Sequence, residues 1–308
     1  MVNSTLSFWM KATRSFALPV IIVPVLLGAA AAYAWKGSFY PGWFLITLIG
    51  AISAHLFSNM INDLWDYRNG ADKEAEKVET DIPTNSRLLP SGQLSERTFA
   101  AVTWGLFAAA VLCGVIITGF KGWPVLVIAG SGGLIAYFYV APPLKFGYRG
   151  KGYSEAAIFA AFGVLPLMGS YYVQTGTFDI RAFVLSFPVG ILTTLVLYNH
   201  HFLHPRADEA AGKRTLVVVL GEKKGLILAK WLTILAFAAV ILCILIQALP
   251  WYGLISLAGF IPLIQMLRTL EETNPPDAYP PFMGAALKAS TRCGGLQIIC
   301  LIIHGFLQ

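Results

Sequence analysis

The chain is short of charge. Only 12% of its 308 residues are Asp, Glu, Lys or Arg, against 56% hydrophobic, and its mean hydropathy is +0.67. That is too little charge to wet the surface of a soluble protein, so an integral membrane protein is indicated. Cysteine is equally scarce. Cys113, Cys243, Cys293 and Cys300 all fall in apolar runs with no CxxC among them, which argues against a disulfide framework and leaves core packing as their role. Nor is there a basic stripe interleaved with stacking aromatics, so the net charge of +6 does not imply a nucleic-acid partner.

What the chain does have is long apolar runs. Nine stretches of roughly 20 residues, the length that crosses a bilayer, are predicted at about 16–35, 43–63, 98–119, 122–141, 154–173, 182–203, 228–249, 251–268 and 287–306. With the amino terminus inside, nineteen of the twenty-two Lys and Arg residues lie on one side, and only Lys36, Lys121 and Arg181 lie on the other. This asymmetry predicts an all-α integral membrane bundle of about nine transmembrane helices, with amino terminus and active face cytoplasmic. The first run follows Lys11 and Arg14 and ends in AAAYAW, as a signal peptide would, but it is too long for one and reads as a span. No composition shift divides the chain, so residues 1–308 are read as a single transmembrane domain.

The acids are few and gathered. In NDLWDYRNGAD, Asn62 to Asp72, three aspartates stand at the mouth of an apolar segment, where ionised groups are kept only with a cavity, an ion or a counter-charge. Asn59, Asp63 and Asp66 fall at i, i+4 and i+7 of a helix and Asn62 at i+3, so their oxygens share one broad face. Such oxygen-only donors suit Mg²⁺, which is commonly bridged to substrate phosphates. Gly70 would end the helix and let Asp72 fold back. The long loop that follows carries Asp81 and NSRLLPSG, whose Arg87 and turn amides suit an anion.

A second polar cluster, YNHHFLHPRADEAAGKRTLVVVLG, runs from Tyr198 to Gly221 on the same predicted side. His200, His204 and Asp208 are spaced by four, although Pro205 disfavours helix at His204. The histidines suit either interfacial hydrogen bonding or catalysis. In a third segment, YVAPPLKFGYRGKGYSE, Lys145, Arg149 and Lys151 sit on a Pro/Gly-rich turn, where they serve topology or neutralise an anionic substrate. Two Asp-bearing clusters and several cations above an apolar interior rich in aromatics suggest a lipid diphosphate, head on the polar face and tail among the helices. The acids sit at span ends rather than mid-span, which disfavours a secondary transporter.

These segments resemble the UbiA-type intramembrane aromatic prenyltransferases. Asp72 follows Asn62 by ten residues, a spacing similar to the menaquinone branch, the 1,4-dihydroxy-2-naphthoate polyprenyltransferases. WMKATRSFALPVIIVPVLLGAA, NSRLLPSG, FGYRGKGYSE followed by GSYYVQTG, and GKRTLVVVLG are similar to that branch as well, so the resemblance covers most of the chain. It implies Mg²⁺ held by Asp63, Asp66, Asp72 and Asp208 with Asn62, binding a polyprenyl diphosphate supported by Arg87, Lys145, Lys213 and Arg214. It also implies an allylic cation facing Tyr139, unless that ring is an interfacial anchor, and an aromatic acceptor attacking it. His200 or an Asp is then the candidate base, and Arg14 or Arg149 a contact for an acceptor carboxylate. The setting implied is a bacterial or archaeal cell membrane. One departure stands out: His204 occupies a place where an Asp is usual. A neutral imidazole is a poor Mg²⁺ ligand, so His204 is expected to contact diphosphate or acceptor instead. Other acceptors of the family, such as 4-hydroxybenzoate or homogentisate, remain open.

Overall fold

The computed structural model describes residues 2–69, 86–210 and 212–308. Among the described residues there is no strand, and the elements follow the apolar runs. In chain order they are α1 (Val2–Ala12), α2 (Pro19–Lys36), α3 (Pro41–Asn69), α4 (Glu96–Lys121), α5 (Pro124–Phe138), α6 (Tyr153–Thr175), α7 (Ile180–His200), α8 (Pro205–Ala210), α9 (Leu216–Leu220), α10 (Glu222–Leu245), α11 (Trp251–Thr269) and α12 (Tyr279–Leu307). Among them, eight helical segments are long and apolar enough to cross a membrane. The ninth, α5, has 15 residues, about 22 Å at 1.5 Å per residue, short of the hydrocarbon thickness. Every expected span therefore has its helix, and the protein is a multi-pass membrane protein.

Apolar faces turned outward fit that setting. Along its 26 residues α4 buries only Phe99, Thr103 and Ile117, while Leu112, Val115 and Phe120 are exposed. In water such a face would be costly, and against lipid tails it is the expected surface. Helix association in lipid relies on close backbone approach at small residues. At Gly28 of α2 a Cβ would fall 2.3 Å from the Leu167 carbonyl oxygen of α6, and at Gly163 it would fall 2.7 Å from the Cα of Gly190 in α7. Gly163 sits in the single π-helical stretch of α6, Ala160–Val164, where the widened turn meets α7.

The core has a small cluster of Ile117, Val125, Tyr172 and Val173 and three larger ones. One joins α7, α10, α11 and α12 around Tyr198, Phe202 and Phe282, with Phe202 stacked on Tyr279 at 4.9 Å between ring centres. A second joins α2, α6 and α7 through Leu27, the Ala30–Ala34 stretch and Tyr171. The third packs α3 on α4 through Phe57, Met60 and Phe99. Between the second and third, α2, α3, α4, α5 and α6 line an open cavity of about 850 Å³, whose polar lining residues include Arg14, Asn59, Asn62 and Tyr139.

Candidate active site

The Asp-bearing end of α3 is held by two elements far from it in sequence. The α1–α2 junction reverses at Arg14, in the left-handed region with φ 51°. From there the Arg14 guanidinium pairs with Asp63 and also donates to the Asn59 carbonyl at 3.4 Å. Asn59 answers by donating its side-chain amide to the Thr13 carbonyl at 3.0 Å. The second oxygen of Asp63 accepts from the Ser86 amide at 3.0 Å. Asp63 is buried, and both its oxygens are taken by protein donors, as a buried carboxylate requires.

The second element is the turn between α5 and α6. Four of its residues, Lys145, Gly150, Lys151 and Gly152, have positive φ, and Gly150 passes so close under the Arg214 carbonyl that a Cβ there would fall at 2.5 Å. This winding puts Tyr148 at the centre of the site. Its hydroxyl donates to Asp66 at 2.5 Å, and its carbonyl accepts the Arg214 amide at 2.9 Å. Lys145 and Lys213 lie over its ring at 5.7 and 5.6 Å, within cation–π range. Lys145 also donates to Asn69 at 3.0 Å, and Lys213 pairs with Asp208 at 3.6 Å. Tyr148 thus joins the two acid clusters that the sequence separates.

Electrostatics follow from this arrangement. Burial works against the Lys213 charge, but Asp208 and Asp66 outweigh it and hold its pKa above the ordinary lysine value. Burial, then the Asp66 charge and hydrogen bond, push the Tyr148 hydroxyl well up, so it stays a neutral donor. The Lys213 ammonium pairs with Asp208 and also feels the charge of Asp66. The Asp66 and Asp208 carboxylates offer hard oxygens, the donor type that suits Mg²⁺. Among the described residues no group of three or more His, Cys, Asp or Glu is placed to hold a metal ion, and Asp72 lies outside them.

The other predicted residues fall into place around this centre. Asn62, Arg14 and Tyr139 line the cavity mouth, and the Tyr139 ring rests against Gly147 and edge-on to Phe146. α7 ends at His200, as Pro205 foreshadowed, and α8 begins at that proline. His200 and His204 therefore do not share a helical stripe with Asp208. His204 is buried and its carbonyl accepts the Asp208 amide at 2.9 Å. Arg87 occupies a left-handed turn position, φ 58°. Arg149 is exposed and donates to the Pro143 carbonyl of its own turn at 3.4 Å. Arg214 is exposed and contributes its backbone amide.

Two groups escaped the sequence reading. Tyr148 reads as an ordinary aromatic in a Gly-rich turn. Glu155 and His201 form a buried pair, Oε1 to Nδ1 3.6 Å, with Ser154 donating to Glu155 at 2.8 Å. The available signal was an acid and a histidine, each inside a segment already singled out.

Compared with known proteins, residues 21–288 match the model of the UbiA prenyltransferase family. The chain belongs to that family. Among curated relatives, the 2-carboxy-1,4-naphthoquinone phytyltransferase of Synechocystis sp. is 27% identical over 86% of this chain and 83% of its own. The 1,4-dihydroxy-2-naphthoate octaprenyltransferase of Bacillus subtilis is 25% identical over 96% and 92%, and that of Escherichia coli 29% over 70% and 68%. Among solved structures, a UbiA homolog from Archaeoglobus fulgidus bound to GPP and Mg²⁺ superposes with a TM-score of 0.67, covering 97% of this chain and 98% of its own at 16% identity. That likeness shows the fold. As a UbiA-family member, the protein is a membrane prenyltransferase, and its polar mouth over an apolar cavity has the form such a reaction needs.

Proposed function

We propose that the protein transfers a polyprenyl group from an allylic diphosphate to 1,4-dihydroxy-2-naphthoate, a step of menaquinone biosynthesis. The observation that carries this reading is the joining of Asp66 and Asp208 through Tyr148 and Lys213, one helical turn from Asn62, which lines the apolar cavity. The acceptor follows the naphthoate relatives that match most of the chain. The Lys and Arg asymmetry supports a cytoplasmic position for this face.

Asp66 and Asp208, with Asn62, would hold Mg²⁺, which would neutralise the diphosphate and so ease its departure from the allylic carbon. Asp63, expected from the sequence as a further ligand, instead has both oxygens occupied by Arg14 and Ser86. Lys213 and Lys145, fixed over the Tyr148 ring, position positive charge for the leaving oxygens. The tail lies along the apolar wall, where Phe57, Phe107, Ile117 and Phe162 exclude water from the allylic cation. Tyr139 offers that cation its ring face at the cavity mouth. The electron-rich ring carbon bearing the carboxylate attacks C1 of the prenyl group. Carbon dioxide then leaves, and the C–CO₂ bonding pair restores the aromatic ring. His200, at the end of α7, is the candidate acceptor for a ring hydroxyl proton.

Naphthoate labelled in its carboxyl carbon tests this. Labelled CO₂ should appear one-for-one with prenylated product, and product that retains the label would overturn the proposed step. A second reading keeps the carboxylated bicyclic ring at the quinone level, as the name of the Synechocystis relative has it. Supplying each oxidation level to the purified protein separates the two.

A further inference from the structure

One buried polar group in the cavity has no role in the chemistry described so far. His55 of α3 is buried and lines the cavity, two turns below Asn62, about 10 Å deeper by helix rise. Its ring packs perpendicular to that of Phe162, with 5.2 Å between ring centres. Its Nε2 lies 3.3 Å from the side-chain nitrogen of Asn59, and its Nδ1 has no hydrogen-bond partner among the described residues.

The bonds around it fix its protonation state. Because the Thr13 carbonyl can only accept, the Asn59 atom facing it is the NH₂ group, and that nitrogen's second N–H points at His55 Nε2. Nε2 therefore accepts, the ring is neutral, and the proton sits on Nδ1. The group left open is a donor at membrane depth. Leaving it unmet costs on the order of a lost hydrogen bond, so it is suited to an oxygen the ligand brings.

Neither the prenyl tail nor the diphosphate supplies that oxygen. The tail has none, and the diphosphate belongs beyond Asn62 with Asp66, Asp208 and Lys213. One turn above His55, Asn59 holds the Arg14 guanidinium at the same wall. Building on the prenyl-transfer reading, we infer that His55 donates from Nδ1 to a ring oxygen of the aromatic acceptor, with Arg14 facing the acceptor's carboxylate. The two define an acceptor subsite on the α1–α3 side of the cavity, separate from the diphosphate face. His55 is then a specificity determinant selecting oxygenated rings.

Steady-state kinetics on purified full-length protein, varying each substrate in turn, test this with His55→Leu and His55→Gln. The leucine variant should raise the acceptor KM about tenfold, the scale of one hydrogen bond, while the KM for prenyl diphosphate stays within about twofold. Glutamine, which keeps a donor and cannot titrate, should recover part of the loss. Naphthoate analogues lacking one ring hydroxyl supply a readout that a packing role would not move. Wild type should bind one of them about tenfold more weakly than the parent, and the leucine variant should not distinguish the two. If the leucine variant fails to fold, wild type against His55→Gln with the same analogues still decides. Unchanged acceptor KM in the variants, or equal shifts for both substrates, would overturn the subsite. The prenyl-transfer reading falls only if wild type itself forms no product.

Discussion

The hydroxyl of Tyr148 donates to Asp66 at 2.5 Å, tying the turn before α6 to the Asp-rich end of α3 across 82 residues. Two lysines lie within cation–π range of the same ring. Tyr148→Phe keeps that ring and removes only the donor to a charged acceptor, a bond of roughly 1.5–3 kcal/mol. It should lower kcat/KM for the prenyl diphosphate about tenfold or more with no change in acceptor KM. Tyr148→Ala, which also removes the platform under Lys145 and Lys213, should be worse. Equal activity of the phenylalanine variant and wild type would show that the contact does not matter to transfer.

Asp208 pairs with Lys213, which also feels the charge of Asp66, and these two are the described acids best placed for the diphosphate and its cation. Asp66→Asn and Asp208→Asn should each reduce transfer by at least about a hundredfold, while both proteins remain folded in detergent. Chelation of divalent ions should do the same to wild type, and Mg²⁺ should restore it. Full activity in either variant would remove that residue from the site.

Arg14 and Asp63 make a pair in which the acid is nearly inaccessible, 3% against 19% for the arginine. Arg14→Met strands a buried charge, a change that typically costs about 3–5 kcal/mol. Thermal unfolding without substrates should show a clear fall in Tm, since the α1–α2 junction is held to α3 through this pair. Arg14→Met with Asp63→Asn should recover part of the loss, because no charge is then left unpaired.

Lys213 has a pKa above its ordinary 10.5. A cation whose folded value is raised contributes fully below its unfolded value and is lost only as pH rises through the folded one. Diphosphate affinity should therefore show no titration from this residue between about pH 7 and 9. Comparing pH profiles of wild type and Lys213→Arg checks this. A step present in wild type and absent in the arginine variant would mean that Lys213 deprotonates in that range.

The spans were legible because a bilayer demands long apolar runs, and composition alone reveals those. Their ends were less so. The last span was expected at 287–306, yet α12 begins at Tyr279, because Pro280 and Pro281 read as loop although proline suits the first turn of a helix. Helix α10 likewise starts at Glu222, outside the apolar window, since hydropathy senses lipid contact rather than helix. In the site, Asp66 and Asp208 were legible because carboxylates beside apolar spans are costly and therefore conspicuous. The partnership of Tyr148 with Asp66 and of Arg14 with Asp63 was not. Each depends on a turn wound through positive φ that brings distant segments together, and no local pattern encodes that meeting.

The most direct test is the mass of the product formed by purified protein given geranylgeranyl diphosphate, Mg²⁺ and, separately, 1,4-dihydroxy-2-naphthoate, 4-hydroxybenzoate and homogentisate. The predicted result is one prenylated species, from the naphthoate alone, with the mass of the prenylated ring minus its carboxylate. Product from another acceptor in its place, or no covalent product from the naphthoate, would contradict the account.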